Sequence, residues 1–233
     1  MVDVVGTAGG MTDIFIVDPD ELTLAALRAR LSDSHDGTIR TYRSAEAFLG
    51  ALDPDDRGIL LVEFHLPRMQ GLDLVRALDA RRGPFVSIML GAAPEVALVV
   101  AAMRTGAHDV LEKPYLPHKL AHVVESARAV LETLTRSRAI ERSAVERIGR
   151  LSRRERAVFD RLVAGQSTKE IAQDFALSPR TVEVHRANIM AKLDVAGLPD
   201  ALRIAYDAGA IGQASASEEP AAGDRAVALG SGG

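Results

Sequence analysis

The charged residues of this chain that could do chemistry stand at the ends of apolar runs. Asp18 follows Ile14-Phe15-Ile16-Val17, Glu63 follows Ile59-Leu60-Leu61-Val62, and Lys113 follows Val110-Leu111-Glu112. Two acids and a lysine brought together would suit a cation or a phosphate, because carboxylates can hold a metal and an ammonium can fix phosphate oxygens. A second group lies further along: Lys169, Arg180, Thr181, Glu183, Val184, His185, Arg186, Ala187, Asn188 and Lys192. It mixes cations, hydrogen-bonding groups and small side chains. Cations suit a phosphate backbone, and the rest suit the edges of bases in a major groove.

The elements that must position the first group follow from periodicity. Apolar runs predict strands at 14–17, 38–42, 59–63, 85–90 and 110–112. Helical spacing predicts helices at 22–31, from about Ser44, at 72–78 and 95–104, and from Leu116 onward. In the helix at 22–31 the apolar residues are Leu22, Leu24, Ala25, Leu27 and Leu31. Five strands alternating with helices imply an α/β doubly wound fold, a five-stranded parallel sheet covered on both faces. Functional loops of such sheets lie beyond the carboxyl ends of the strands, where Asp18, Glu63, Leu90 and Lys113 all fall. The helix from Leu116 runs through Thr135, and a further polar helical stretch continues to Gly149. With no proline and no glycine cluster, this reads as a helical linker.

An all-helical unit follows. Ser152 and Glu155 form one capping box, and Ser167 and Glu170 form a second after Gly165. A turn at Ala176-Leu177 leads to Ser178-Pro179, an N-cap and first-turn proline for a helix running to Leu193. Two short helices joined this closely predict a helix-turn-helix. At 100° per residue, Val182, Ile189 and Leu193 face inward, while Arg180, Glu183, Val184, Ala187, Asn188 and Ala191 face outward. An ordinary surface face would not favour alanines and an exposed valine. Small residues let a helix enter a major groove, where Val184 could meet a thymine methyl and Glu183 could accept from cytosine N4. Lys169, Thr181, His185, Arg186 and Lys192 ring that face and suit phosphates. His185 has no second ligand at metal-binding spacing, so it reads as a phosphate contact or a packed polar residue.

The expected domains are a flexible N-terminus at 1–11, an α/β unit at 12–130, a helical linker at 131–150, the helix-turn-helix unit at 151–211, and a disordered Ala/Ser/Gly/Glu-rich tail at 212–233. Composition limits the function. The chain has 233 residues, 47% hydrophobic and 26% charged, with a net charge of −4. That suits a globular protein rather than a nucleic-acid coat protein. Yet residues 136–156 hold eight arginines against three glutamates, a local net of +5, which suits either an anionic partner or a solvated helix face. There is no cysteine, which excludes disulfides and thiol chemistry. No apolar run reaches the ~18 residues of a membrane span, and residues 1–11 lack the character of a signal peptide, so a cytoplasmic protein without a membrane partner is expected. No nucleotide-binding loop, nucleophile–base pair or metal cluster marks an enzyme, and no cofactor is expected.

The stretch from Ile59 through Glu63-Phe64-His65-Leu66-Pro67-Arg68-Met69-Gln70-Gly71-Leu72 resembles the phosphorylation loop of the response-regulator receiver family. There a strand ends in Asp and enters an x-x-Met-Pro-x-Met-x-Gly loop. The resemblance implies acids after the first strand to hold Mg²⁺, an acceptor aspartate after the third, a Thr or Ser after the fourth, and a lysine after the fifth, followed by a cis proline. This chain keeps Asp18 and Lys113-Pro114 but places Pro19 at the second acid, Glu63 at the acceptor and Leu90 at the hydroxyl. Proline offers no metal ligand, leucine leaves a phosphate oxygen unpaired, and the extra methylene of Glu63 moves the acceptor oxygen on the ~1 Å scale that is costly to catalysis. Metal-dependent phosphorylation is therefore not expected. Glu63 then has two readings: it mimics phospho-aspartate beside Lys113, or it is a structural ion-pair partner in a decayed site.

The run from Leu151-Ser152 through Glu155, Val158, Lys169, Ile171-Ala172 and Leu177-Ser178 to Thr181-Val182-Glu183-Val184-His185 resembles the LuxR/FixJ/NarL DNA-binding domain. The segment Ser178 to Lys192 is especially similar to FixJ-type members. The resemblance implies a transcription factor of the atypical response-regulator kind. It would bind two promoter half-sites as a homodimer paired through a fourth helix at 198–207, with RNA polymerase and a signalling protein as candidate further partners. It also implies that the receivers pair through the fourth helix and fifth strand, about 95–123. The alternative is a protein-interaction module that binds a kinase or regulator, or forms antagonist heterodimers, with no operator of its own.

Overall fold

The computed structural model describes residues 12–33, 35–79 and 84–209, so the N-terminus at 1–11 and the tail at 212–233 lie outside the described residues. The chain divides into two compact units between Arg136 and Ser137.

In the first unit, β1 (Asp13–Val17), β2 (Ile39–Tyr42), β3 (Gly58–Glu63), β4 (Phe85–Ala92) and β5 (Asp109–Lys113) form one sheet in the order β2-β1-β3-β4-β5. Every pairing is parallel. Continuous apolar runs suit strands covered on both sides. Alternation sends Ile14, Ile16, Ile59, Leu61, Ile88 and Leu90 to one face, against Leu24, Leu27 and Leu31 of α1 (Glu21–Ser32) and Leu120, Val124 and Ala127 of α5 (Pro117–Gly149). Phe15, Val17, Leu60, Val62 and Met89 go to the other, against α2 (Ala45–Ala51), α3 (Gly71–Asp79) and α4 (Val96–Arg104). Phe15, Phe48 and Phe85 meet edge to face there, with centroids 5.4–6.0 Å apart. Each large side chain buried in these layers contributes roughly 1.5–3 kcal/mol.

Leu22 departs from the apolar stripe expected of α1. It is 79% exposed, and Ala25 is exposed as well. The two helical stretches expected between Leu116 and Gly149 are one 33-residue helix, α5, which crosses the division between the units. Its last turns are more than a linker: Ala144 and Ile148 pack into the core of the second unit.

That second core is completed by α6 (Arg153–Val163), α7 (Thr168–Asp174), α8 (Pro179–Leu193) and α9 (Leu198–Asp207). Both expected capping boxes form, Ser152 with Glu155 and Ser167 with Glu170. Ser178 caps α8 by accepting from the Thr181 amide, and Pro179 opens that helix.

Candidate functional site

At the carboxyl edge of the sheet, β1 and β3 deliver Asp18 and Glu63 into neighbouring positions and β5 delivers Lys113. The Asp18 amide donates to the Tyr42 carbonyl at 3.1 Å, which prolongs the β1–β2 pairing and directs the carboxylate into the pocket. Its Oδ1 accepts from the Asp20 amide at 2.9 Å. Glu63 Oε1 accepts from the His65 amide at 3.3 Å. Gly71 must lack a side chain, since a Cβ there would stand 2.2 Å from the Glu63 carbonyl oxygen. The loop after β3 therefore turns tightly into α3.

Lys113 Nζ donates to Asp18 Oδ2 at 2.6 Å and to Glu63 Oε2 at 2.5 Å. Asp18 is almost wholly buried and Glu63 is 9% exposed. Burial works against the lysine's charge, but its hydrogen bonds to Asp18 and Glu63 prevail and hold its pKa above the ordinary value. Two carboxylates share one ammonium, so the pocket keeps a net negative charge when all three ionise. The Lys113-Pro114 bond is cis.

The family's magnesium does not fit this donor set. Pro19 brings no oxygen side chain. Asp20 caps α1, accepting from the Leu22 and Thr23 amides at 3.3 and 3.0 Å and from the Thr23 hydroxyl at 2.6 Å. Lys113 is bonded to both Asp18 and Glu63. Among the described residues no three Asp, Glu, His or Cys side chains converge as a metal site. Leu90 pairs in register with Glu63 on the adjacent strand, yet its side chain is wholly buried in the core beneath α1 and α5. No hydroxyl is offered at that position.

In the second unit, α8 presents the face that its periodicity predicts. Val182, Ile189 and Leu193 are wholly buried, while Arg180, Glu183, Val184, Ala187, Asn188 and Ala191 are exposed. Val184 is 53% exposed. Lys169 of α7 is exposed, and His185 is half-buried.

Three residues expected at phosphates have partners within the protein. Thr181 belongs to the helix cap, its hydroxyl 2.8 Å from Ser178 Oγ. Arg186 donates to Thr168 Oγ1 at 2.8 Å and to Glu183 Oε1 at 3.2 Å. Lys192 donates to Glu155 Oε2 at 2.6 Å. Glu155 is 5% exposed, and the Lys192 bond, followed by those of Ser152, lowers its pKa to about 2. The pair ties α8 to α6, a role that a distance of 37 residues along the chain conceals.

In the basic run at 136–156, Arg147, Arg150, Arg154 and Arg156 have internal partners. Arg147 donates to the carbonyls of Leu193 and Asp194, the carboxyl end of α8, where a cation complements the helix dipole. Arg150 pairs with Glu146 and Arg156 with Asp160. The Arg154 guanidinium lies 4.5 Å from the centre of the Phe175 ring. Arg147 and Arg154 thus brace the helical unit.

Known proteins match in the same two parts. Residues 14–125 match the response regulator receiver domain, and residues 149–205 match the bacterial regulatory proteins of the luxR family. The transcriptional regulatory protein FixJ of Bradyrhizobium diazoefficiens is 36% identical over 199 residues, spanning 84% of this chain and 95% of that one. The crystal structure of full-length FixJ from B. japonicum is similar with a TM-score of 0.52 and 34% identity, covering 85% of this chain and 98% of the other. The response regulator StyR has a TM-score of 0.70 at 26% identity, covering 84% of this chain and 99% of its own.

Proposed function

The chain belongs to the luxR family of response regulators, whose FixJ relatives are transcriptional regulators rather than enzymes, and we propose that it binds specific DNA as a dimer without being switched by phosphorylation. The observation that carries this reading is the Lys113 ammonium seated between Asp18 and Glu63. A receiver that takes up a phosphoryl group needs an acid ligand for a divalent cation where Pro19 stands and a hydroxyl where Leu90 is buried. With both lost, the pocket is an internal ion triad. The protein then acts according to its amount, its partners or a small ligand.

DNA enters through α8. Its exposed face of Ala187, Asn188, Ala191 and Val184 is small enough to approach base edges, and Arg180 and Lys169 remain exposed for phosphates. Dimerisation has an apolar surface available on α4, where Val96, Val100 and Met103 recur one turn apart and are all exposed. The fourth helix of the second unit, α9, presents exposed Tyr206 and Arg203 for pairing the DNA-binding units. A two-fold protein reads two half-sites about one helical turn apart. No helix among the described residues is long and apolar enough to cross a membrane.

Binding-site selection with purified full-length protein tests the reading. A recovered sequence with two-fold symmetry supports it. Recovery of no preferred sequence removes it and leaves the protein-interaction module in its place.

A further inference from the structure

Thr168 opens α7 and Glu183 lies on α8, 15 residues later, across the turn of the helix-turn-helix. The Thr168 hydroxyl donates to Glu183 Oε1 at 2.8 Å. Arg186 Nη1 donates to the same hydroxyl at 2.8 Å and to the same carboxylate oxygen at 3.2 Å. The chemistry fixes these directions. A guanidinium cannot accept, so the threonine proton must go to the carboxylate. Both bonds reach Oε1, and among the described residues Oε2 receives none. Glu183 is nevertheless 57% exposed, on the outward face beside Val184.

We infer that Glu183 reads a cytosine in each half-site and that Thr168 and Arg186 are the positioning residues that hold it for that task. The inference rests on the DNA-binding reading above. An unaccompanied carboxylate entering a groove lined by phosphates would be repelled, and its long side chain would be ordered only on binding. Arg186 offsets the charge before DNA arrives, and Thr168 selects the conformation, so less ordering is left for the complex. A carboxylate can only accept. In the major groove cytosine offers N4–H₂ alone, adenine sets its amino group beside the acceptor N7, and guanine and thymine present acceptors to the carboxylate. Arg186 is assigned to Glu183 because its Nη1 already holds both the Glu183 carboxylate and the Thr168 hydroxyl.

The test uses full-length protein in binding-site selection. Titrations at several salt concentrations then follow, on the recovered sequence and on variants at one base pair. Wild type is expected to select a cytosine at a fixed place in each half-site and to lose about tenfold or more in affinity when it is replaced. Glu183→Gln should abolish that preference. Thr168→Val should cut the discrimination severalfold with an unchanged salt slope, and Thr168→Ser should restore it. Arg186→Gln should weaken discrimination, again without changing the slope. The assignment is overturned if Thr168→Val folds, judged by thermal melting, and keeps wild-type discrimination. It is equally overturned if Arg186→Gln lowers the salt slope by about one, the mark of a lost phosphate contact. That second arm decides the matter if Thr168→Val does not fold. A wild-type protein that selects no sequence at all removes the DNA-binding reading itself, and this inference with it.

Discussion

Lys113 Nζ lies 2.5 Å from Glu63 Oε2, across the gap between β5 and β3, with Asp18 on its other side. The contact joins residues 50 positions apart, and it sits where the family's phosphoryl chemistry takes place. Glu63 is one methylene longer than the aspartate it replaces and so reaches toward the lysine. Because the triad is internally bonded, removing its single cation has a cost.

Lys113→Gln would leave two buried carboxylates facing each other without a counter-charge. A loss of about 2–3 kcal/mol is expected, below the 3–5 kcal/mol of a fully enclosed pair because the lysine is partly open to solvent. Urea unfolding of wild type and variant measures it. A difference within a few tenths of a kcal/mol would show that the triad contributes nothing to the fold.

Restoring the acceptor alone should not restore the chemistry. Glu63→Asp is expected to remain unmodified by a small-molecule phosphodonor with Mg²⁺, because Pro19 still offers no ligand and Leu90 no hydroxyl. The triple variant Pro19→Asp, Glu63→Asp, Leu90→Thr should gain the modification. Intact mass spectrometry reads both. Phosphorylation of the single variant would mean that Glu63 is the only obstacle.

Charge at Glu63 has a second consequence if it holds the receiver in its DNA-binding form. Glu63→Gln is then expected to weaken DNA binding or dimerisation severalfold, measured by titration and sedimentation. Unchanged affinity would leave Glu63 as a structural partner of Lys113 only.

The Glu155–Lys192 pair makes the helical unit sensitive to acid. Glu155 has a pKa of about 2 in the folded protein against 4.5 when unfolded. Between those values the unfolded chain binds the proton more readily. The stabilisation is therefore complete above pH 4.5 and is lost as pH falls toward 2. At neutral pH Glu155→Gln should cost about 1.5–3 kcal/mol, the usual range for a charged hydrogen-bond partner. The gap between wild type and variant should close as pH falls, followed by helical ellipticity in urea. A gap independent of pH would contradict it.

His35 gives a second pH signature, in the first unit. It is buried, with Nε2 2.5 Å from the Thr12 carbonyl and Nδ1 3.0 Å from Arg128 Nη2. Since the guanidinium must donate, Nδ1 accepts and Nε2 carries the proton. Burial first, and the Arg128 charge as well, lower its pKa below the ordinary 6.5, against raising contributions from the Thr12 bond and the Asp36 and Asp13 charges. Its stabilising contribution is thus present above 6.5 and declines as pH drops below that value, where the unfolded imidazole protonates first. Thermal melts of wild type and His35→Gln should converge as pH falls below 6.5. Parallel curves would show that His35 does not titrate on unfolding.

Much of this was legible in the residues. The run Ile59 to Val62 reads as a strand buried on both faces, and all four are wholly buried in β3. The inward stripe Val182, Ile189, Leu193 and both capping boxes came from spacing alone, because helix geometry is local. What escaped depends on contacts remote in sequence. Lys113 is 95 residues from Asp18, and only the topology of a parallel sheet brings them together. The exposure and charge of Arg186 and Lys192 can be read along a helix, whereas their partners on other helices, Thr168 and Glu155, cannot. Polarity rises after Thr135 while helical propensity does not fall, so α5 continues unbroken to Gly149.

The central claim is tested most directly by incubating the full-length wild-type protein with a small-molecule phosphodonor and Mg²⁺, then measuring its intact mass and its affinity for the selected DNA. Both are expected to remain unchanged. A mass increase of one phosphoryl group, lost on mild base treatment as an acyl-phosphate would be, would contradict the account.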